Sequence, residues 1–250
     1  MNINIEVFNL NAISKNRVEL VKNIIKFGNL KNFCEIGVYK AELSVQLLKD
    51  FSFESFYLID PWRKLTNWNK PFNHNDKLFK NIYKNVLKSL EPYGSQTIIL
   101  RGTTSEVINK IENNSLDGVY IDGDHTLRGI VLDLHYALPK IKEGGFLIGD
   151  DLRKNIWQHG RDYSPTLIYP YVVYFAEAHN LPIFLLDFNQ FLIINDTELG
   201  YKIYDYAKFG NLNEEKIFAT EQIKEKNIYS KSKIFIKYIF VFVRKKFSSE

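Results

Sequence analysis

Residues 117–152 read DGVYIDGDHTLRGIVLDLHYALPKIKEGGFLIGDDL. Two short apolar runs, 118–121 and 145–148, each end in acids: Asp122 and Asp124 after the first, Asp150 and Asp151 after the second. Between them Ile130, Val131, Leu134 and Leu138 recur near helical spacing. If both runs are parallel strands of one sheet, all four carboxylates gather at its carboxyl-end edge. That edge is where open α/β sheets bind their ligands.

Upstream, residues 33–36 read as a strand and 41–48 as a helix, so Glu35-Ile36-Gly37-Val38-Tyr39-Lys40-Ala41 is a strand–turn–helix junction. Gly37 lets backbone approach a ligand closely, and Ala41 lets the helix pack tightly on the strand. The spacing E-x-G-x-x-x-A is neither the G-x-G-x-x-G of a dinucleotide site nor a P-loop. The second strand, 55–59, ends at Asp60-Pro61-Trp62. An acid at that place can accept hydrogen bonds from ribose hydroxyls; alone it would read as a turn aspartate before proline. Residues 63–74 read as a loop or lid and 76–90 as a helix. The third strand, 97–100, leads into Arg101-Gly102-Thr103-Thr104-Ser105. Ser105 or Thr104 is expected to cap a helix over 106–111, and a hydroxyl at this strand end, Thr103 included, is also placed to face a purine.

Beyond Asp151 a polar connection, 153–164, is well placed to select a substrate. Its Arg153, His159 and Arg161 are candidates for a phosphate or carboxylate, or plain surface charges. A helix over 166–179 and an antiparallel hairpin, 182–186 with 191–194, close the pattern. Residues 12–27 form a helical preface that Gly28 and Asn29 end. The expected organisation is an α/β domain of five βα units and a hairpin over 30–197, a helical segment over 1–29 and an extension over 198–250.

The chain has 250 residues, 45% of them hydrophobic, enough for a sizeable core. A net charge of +4 is too small to argue for nucleic acid. Cys34 is the single cysteine, which rules out an intrachain disulfide and fits a reducing compartment; its place in an apolar run makes it a small buried hydrophobe. No signal peptide is expected and no apolar run reaches the length of a membrane span, so the expected location is cytoplasmic. The aromatic, basic segment 234–247, IFIKYIFVFVRKKF, suits docking on the core, dimerisation to a homo-oligomer, or peripheral contact with a membrane surface.

Strand–E-x-G-x-x-x-A–helix, strand–Asp60, IDGDH and GGFLIGDD together resemble the class I S-adenosylmethionine-dependent methyltransferases, within them the branch of macrocin-type sugar O-methyltransferases. The resemblance covers residues 30–195. It implies a Rossmann-like seven-stranded, mostly parallel sheet in the order 3-2-1-4-5-7-6, the last strand antiparallel, with helices on both faces. It implies S-adenosylmethionine held by Glu35, Gly37 and Asp60, with Thr103 and Asp122 on the same side. It also implies a divalent metal on Asp122, Asp150 and Asp151, and Asp124 as the base. His125, next to that base, either shares the proton transfer or caps the following helix. A first motif without G-x-G-x-G departs from the wider class.

A sugar hydroxyl is a poor acid, so a carboxylate base alone is weak, and a hard cation gripping two hydroxyls lowers the pKa of the one that reacts. Three aspartates with no cysteine or histidine cluster favour Mg²⁺ or Mn²⁺ over Zn²⁺. By the resemblance, the acceptor is expected to be a sugar hydroxyl on a nucleotide sugar, a glycan precursor or a glycosylated natural product. Methylation of a smaller catechol-like alcohol, and a non-catalytic cofactor-binding partner protein, are the alternatives. Four acids in one pocket weigh against the last.

Overall fold

The structure is a computed structural model describing residues 3–210. The segment 234–247 lies outside the described residues. The helical preface is two helices, α1 (Ile3–Ile13) and α2 (Arg17–Gly28). The break has a local cause. Asn16 caps α2 by accepting from the Glu19 backbone N–H at 2.9 Å, while Glu19 accepts from the Lys15 N–H at 2.8 Å. Arg17 therefore becomes the first residue of a helix rather than the middle of one. Asn29, at φ 46°, ends α2 in the left-handed conformation.

Then follow β1 (Asn32–Ile36), α3 (Glu42–Asp50), β2 (Ser55–Asp60), α4 (Asp76–Leu90), β3 (Thr97–Arg101), α5 (Thr104–Val107), β4 (Leu116–Ile121), α6 (Leu127–Ala137) and β5 (Ile141–Gly149). After the irregular stretch 150–167 come α7 (Ile168–Ala178), β6 (Pro182–Leu186), β7 (Gln190–Ile194) and β8 (Lys202–Asp205). The strand order is β3-β2-β1-β4-β5-β7-β6-β8. The first seven strands take the expected order, and β7 runs antiparallel to both neighbours. The sheet has eight strands rather than seven, because β8, from the stretch expected to be an extension, pairs in parallel with β6. Polar composition hides it: only the sheet side of β8 packs, with Tyr204 stacked on Phe184 at 4.6 Å.

Central strands buried on both faces read as near-continuous apolar runs, and β4, β6 and β7 do. Phe33, Phe53 and Phe56 pack with ring centroids 4.8–5.9 Å apart beneath β1 and β2, each worth about 1.5–3 kcal/mol in removal from water. Cys34 is fully buried, as expected. Past their carboxyl ends, the strands stay laced together. Gly37 N–H donates to Ile59 O, Asp122 N–H to Ile36 O, Asp150 N–H to Ile121 O and Gly102 N–H to Asp60 O, all at 2.8–3.0 Å. These bonds hold the post-strand turns as one rim.

Candidate active site

The rim surrounds a cavity of about 510 Å³, within the usual range of small-molecule sites. One side is built by the turns after β1, β2 and β3. Gly37 adopts φ +94°, and a Cβ there would lie 2.0 Å from the Asp122 carbonyl oxygen. Only glycine lets the turns after β1 and β4 touch. Asp60 lines the cavity and ties two turns together, accepting from Tyr39 N–H at 2.9 Å on one oxygen and Trp62 N–H at 2.8 Å on the other. Burial pushes its pKa up to about 6 against those two hydrogen bonds. Each oxygen keeps a lone pair for a further donor. Trp62 is fully buried, and its indole N–H donates to Tyr39 O at 2.7 Å.

Glu35 does not line the cavity. It is buried below the turn and accepts from Ser44 Oγ at 2.6 Å. Burial raises its pKa to about 8 despite that bond. Thr103 does line the cavity. Its backbone N–H donates to Glu106 at 2.8 Å, and it, rather than Thr104 or Ser105, caps the helix. The Gly102 bond to Asp60 turns the chain directly off β3, so the helix begins two residues earlier than its apolar pattern predicts. Thr104 instead donates to Asp133 at 2.6 Å. Asp133, on α6, lines the cavity, and burial lifts its pKa to about 7. Sequence reading passed over it, although an acid between Ile130 and Leu134 on an inward helix face was a visible signal.

The other side holds the four acids of the 117–152 stretch and His125, all lining the same cavity. They are not equivalent. Asp122, His125 and Asp151 converge, each offering one donor atom within 4.8 Å of the others. His125 Nδ1 lies 2.5 Å from Asp151 Oδ2, and Nε2 lies 3.3 Å from Asp122 Oδ1, without hydrogen-bond geometry. Burial alone would lower the His125 pKa, but the two carboxylates outweigh it and raise it to about 10. The two carboxylates thus favour a protonated imidazole, and a metal ion bound here would have to displace one of its protons. It is not the cap of α6: Thr126 is, accepting from Gly129 N–H at 3.2 Å. Asp151 sits at φ +58°, which turns it back toward His125. Burial alone would raise its pKa; the His125 hydrogen bond and charge, then Gln158 and Arg153, hold it well below the usual carboxylate range.

Asp150 faces elsewhere. Its carboxylate meets Arg17 from α2 and accepts from Gln190 Nε2 at 2.5 Å. Gln190, fully buried, in turn accepts from the Tyr120 hydroxyl at 3.0 Å. Burial and then the Asp122 charge push the Asp150 pKa up to about 6, with Arg17 pulling the other way. Arg17 Nη1 also reaches Asp122 Oδ2 at 3.1 Å. Arg17 had no motif to announce it. Asp124 accepts from Trp68 Nε1 at 2.8 Å and from the Thr126 N–H and hydroxyl at 2.9 and 3.0 Å.

The donor set at Asp122, His125 and Asp151 fits a divalent cation. It combines carboxylate oxygens with a buried imidazole nitrogen, Nε2, that makes no hydrogen bond. The three aspartates expected to act together are divided here: Asp151 meets His125, Asp150 meets Arg17, and Asp122 lies between the two cations.

Residues 34–152 match the family model described as a methyltransferase domain. Among solved structures, the chain is similar to a putative caffeoyl-CoA O-methyltransferase from Staphylococcus aureus, 16% identical, covering 77% of this chain and 90% of that one with a TM-score of 0.53. It is also similar to an O-methyltransferase from Bacillus cereus in complex with SAH, 13% identical, covering 78% and 91% with a TM-score of 0.52. A curated relative, the uncharacterized protein y4gI of Sinorhizobium fredii (strain NBRC 101917 / NGR234), is 26% identical over 100 residues, 37% of this chain. The match spans only 11% of that relative's length. The fold is the Rossmann-like α/β fold of these solved structures.

Proposed function

We propose that the protein is an S-adenosylmethionine-dependent O-methyltransferase that methylates a sugar hydroxyl with the help of a divalent cation. The observation that carries this reading is one cavity lined by the Gly37 turn and Asp60 on one side and by Asp122, Asp124, His125 and Asp151 on the other. The Gly37 turn admits the methionine part of the donor to bare backbone, and Asp60 accepts from its ribose hydroxyls. Glu35 supports this wall from below through Ser44.

A cation held by Asp122, His125 and Asp151 would orient neighbouring acceptor hydroxyls and make the reacting one more acidic. Asp124 takes the proton. Its three donors fix its direction, and in-line placement of the acceptor oxygen can supply up to roughly 7–11 kcal/mol of the barrier. The loops 63–74 and 153–167 limit water at the reacting centre.

Arg17 favours a second reading. A guanidinium bridging Asp122 and Asp150 is a built-in cation, and with charged His125 it balances the acids without metal, as suits a small alcohol acceptor of higher acidity. One assay separates the two: methyl transfer to a panel of nucleotide sugars and catechols, with and without EDTA, after calorimetry with S-adenosylhomocysteine. Chelation-sensitive methylation of a sugar supports the first reading. Chelation-resistant methylation of a catechol supports the second, and failure to bind S-adenosylhomocysteine defeats both.

A further inference from the structure

We propose that the end of the cavity built by Lys70, His159 and Arg153 is a subsite for an anionic group, a phosphate or a carboxylate, carried by the methyl acceptor. The proposal rests on reading this cavity as the methyl-transfer site. It names the substrate class that site would take.

Lys70 lines the cavity yet is only 5% exposed. Its ammonium has three N–H donors, and Thr166 Oγ1 at 3.0 Å accepts one of them. Among the described residues no carboxylate lies within ion-pair distance of it. The other long cations of the lining differ. Arg17 meets two aspartates, Arg63 meets Glu106 at 2.6 Å, and Arg153 is 3.6 Å from Asp151. A buried charge without a counter-ion is costly, and burial does push the Lys70 pKa down. An anion arriving in the cavity would reverse that cost.

His159 belongs to the same end. Its ring packs edge-on against Phe72 at 5.9 Å. Its pKa is lowered first by burial and next by the charge of Lys70, with His125 and Arg153 also contributing. The carboxylates that act on Lys70, Asp124 and Asp151, are already engaged, the first by Trp68 and Thr126 and the second by His125, so Lys70, Arg153 and the His159 ring share this end without a free anion among the described residues. A bound phosphate or carboxylate would bring them into agreement.

The subsite is held in register with the reacting centre. The Thr166 hydroxyl donates to Gln158 Oε1 at 2.8 Å, and Gln158 Nε2 donates to Asp151 Oδ1 at 2.9 Å. Lys70, Thr166, Gln158, Asp151 and His125 thus form one continuous chain of polar contacts. The two loops that carry it are joined by backbone, Ser164 N–H to Asn69 O at 3.0 Å, and by Asn69 Nδ2 to Asp162 O at 2.8 Å. An anion on Lys70 would be fixed at one distance from the hydroxyl beside Asp124, so the subsite would select both charge and methylated position.

The test is calorimetry on the full chain, with and without S-adenosylhomocysteine, using glucose, glucose 6-phosphate, glucuronate and inorganic pyrophosphate. The wild type is expected to bind at least one anionic probe about tenfold or more tightly than glucose, as one charge-assisted contact supplies. The phosphate and carboxylate probes tell the two groups apart. Lys70→Gln is expected to bring that preference to within about twofold, Lys70→Arg to keep it, and the half-exposed Arg153→Gln to weaken it about threefold. Unchanged S-adenosylhomocysteine affinity in each variant shows the fold is intact. No preference for any anionic probe, or a full preference in both Lys70→Gln and Arg153→Gln, overturns the subsite. Lys70-dependent anion binding by a chain that does not bind S-adenosylhomocysteine would leave the subsite standing and defeat the methyl-transfer reading.

Discussion

Arg17 and Asp122 are 105 positions apart in the chain, yet Arg17 Nη1 lies 3.1 Å from Asp122 Oδ2. The same guanidinium engages Asp150. A helix outside the matched domain therefore supplies the counter-charge for the acids of β4 and β5. Replacement by Arg17→Gln leaves two neighbouring carboxylates facing each other. With the side chain 39% exposed, solvent screening limits the loss to about 1–2 kcal/mol. If a cation and Arg17 compete for Asp122, the same variant binds Mn²⁺ more tightly. Thermal melts and a Mn²⁺ titration measure the two effects, and a variant unchanged in both would show that the bridge has no energetic role.

Gly37→Ala is expected to unfold the rim. The substitution puts a methyl group 2.0 Å from the Asp122 carbonyl at φ +94°. Strain at such a position costs roughly 1–3 kcal/mol before the clash is counted. A urea-denaturation midpoint matching the wild type would contradict this close approach.

Glu35 sets a pH dependence. Its folded pKa of about 8 lies above the model-peptide value of 4.5. The folded state binds its proton more tightly than the unfolded state does, so its contribution is fully present below the unfolded value and is lost as pH rises through about 8. Asp133, raised to about 7, has the same sign. The ligand-free protein should therefore be less stable at pH 9 than at pH 6. Glu35→Gln copies the protonated form and can still accept from Ser44. The variant should flatten the fall, gaining more stability at pH 9 than at pH 6. Guanidinium titrations at both pH values decide it, and parallel curves for the two proteins would exclude Glu35 as the source.

Asp124→Asn separates chemistry from binding. A positioned general base is worth about 10²–10⁴ in rate. The variant should lose that much in kcat and keep its affinity for S-adenosylhomocysteine, because Asp124 lies on the acid side of the cavity. Trp68→Phe, which removes the 2.8 Å indole donor, should alter kcat more than stability. Full methyl transfer by Asp124→Asn would move the base elsewhere.

The first seven strands were legible because each announced itself by an apolar run and each turn by its Gly or Asp, while their order followed from the family resemblance. Parallel β1, β2 and β4 have no choice of face, and the acids that end them must share an edge. The eighth strand was not legible, since Lys202–Asp205 is exposed on most of its surface and becomes a strand only because β6 offers a free edge. Glu35 shows a second limit. Its motif position is right for the rim, but which way its carboxyl turns depends on Ser44, one helix later.

The sequence by itself thus determined the sheet, the rim and the acids that stand on it, because local periodicity and strand-end residues act over a few neighbours. Which acid meets which partner was decided only by tertiary structure. Asp122 and Asp151 flank His125, Asp150 faces Arg17 and Gln190, and Lys70 has a hydroxyl but no acid. Those pairings join α2, two loops and β7 to the 117–152 stretch across separations of up to 133 positions. Charge interactions depend on distance and burial rather than on spacing along the chain, so no pattern within that stretch could have assigned them.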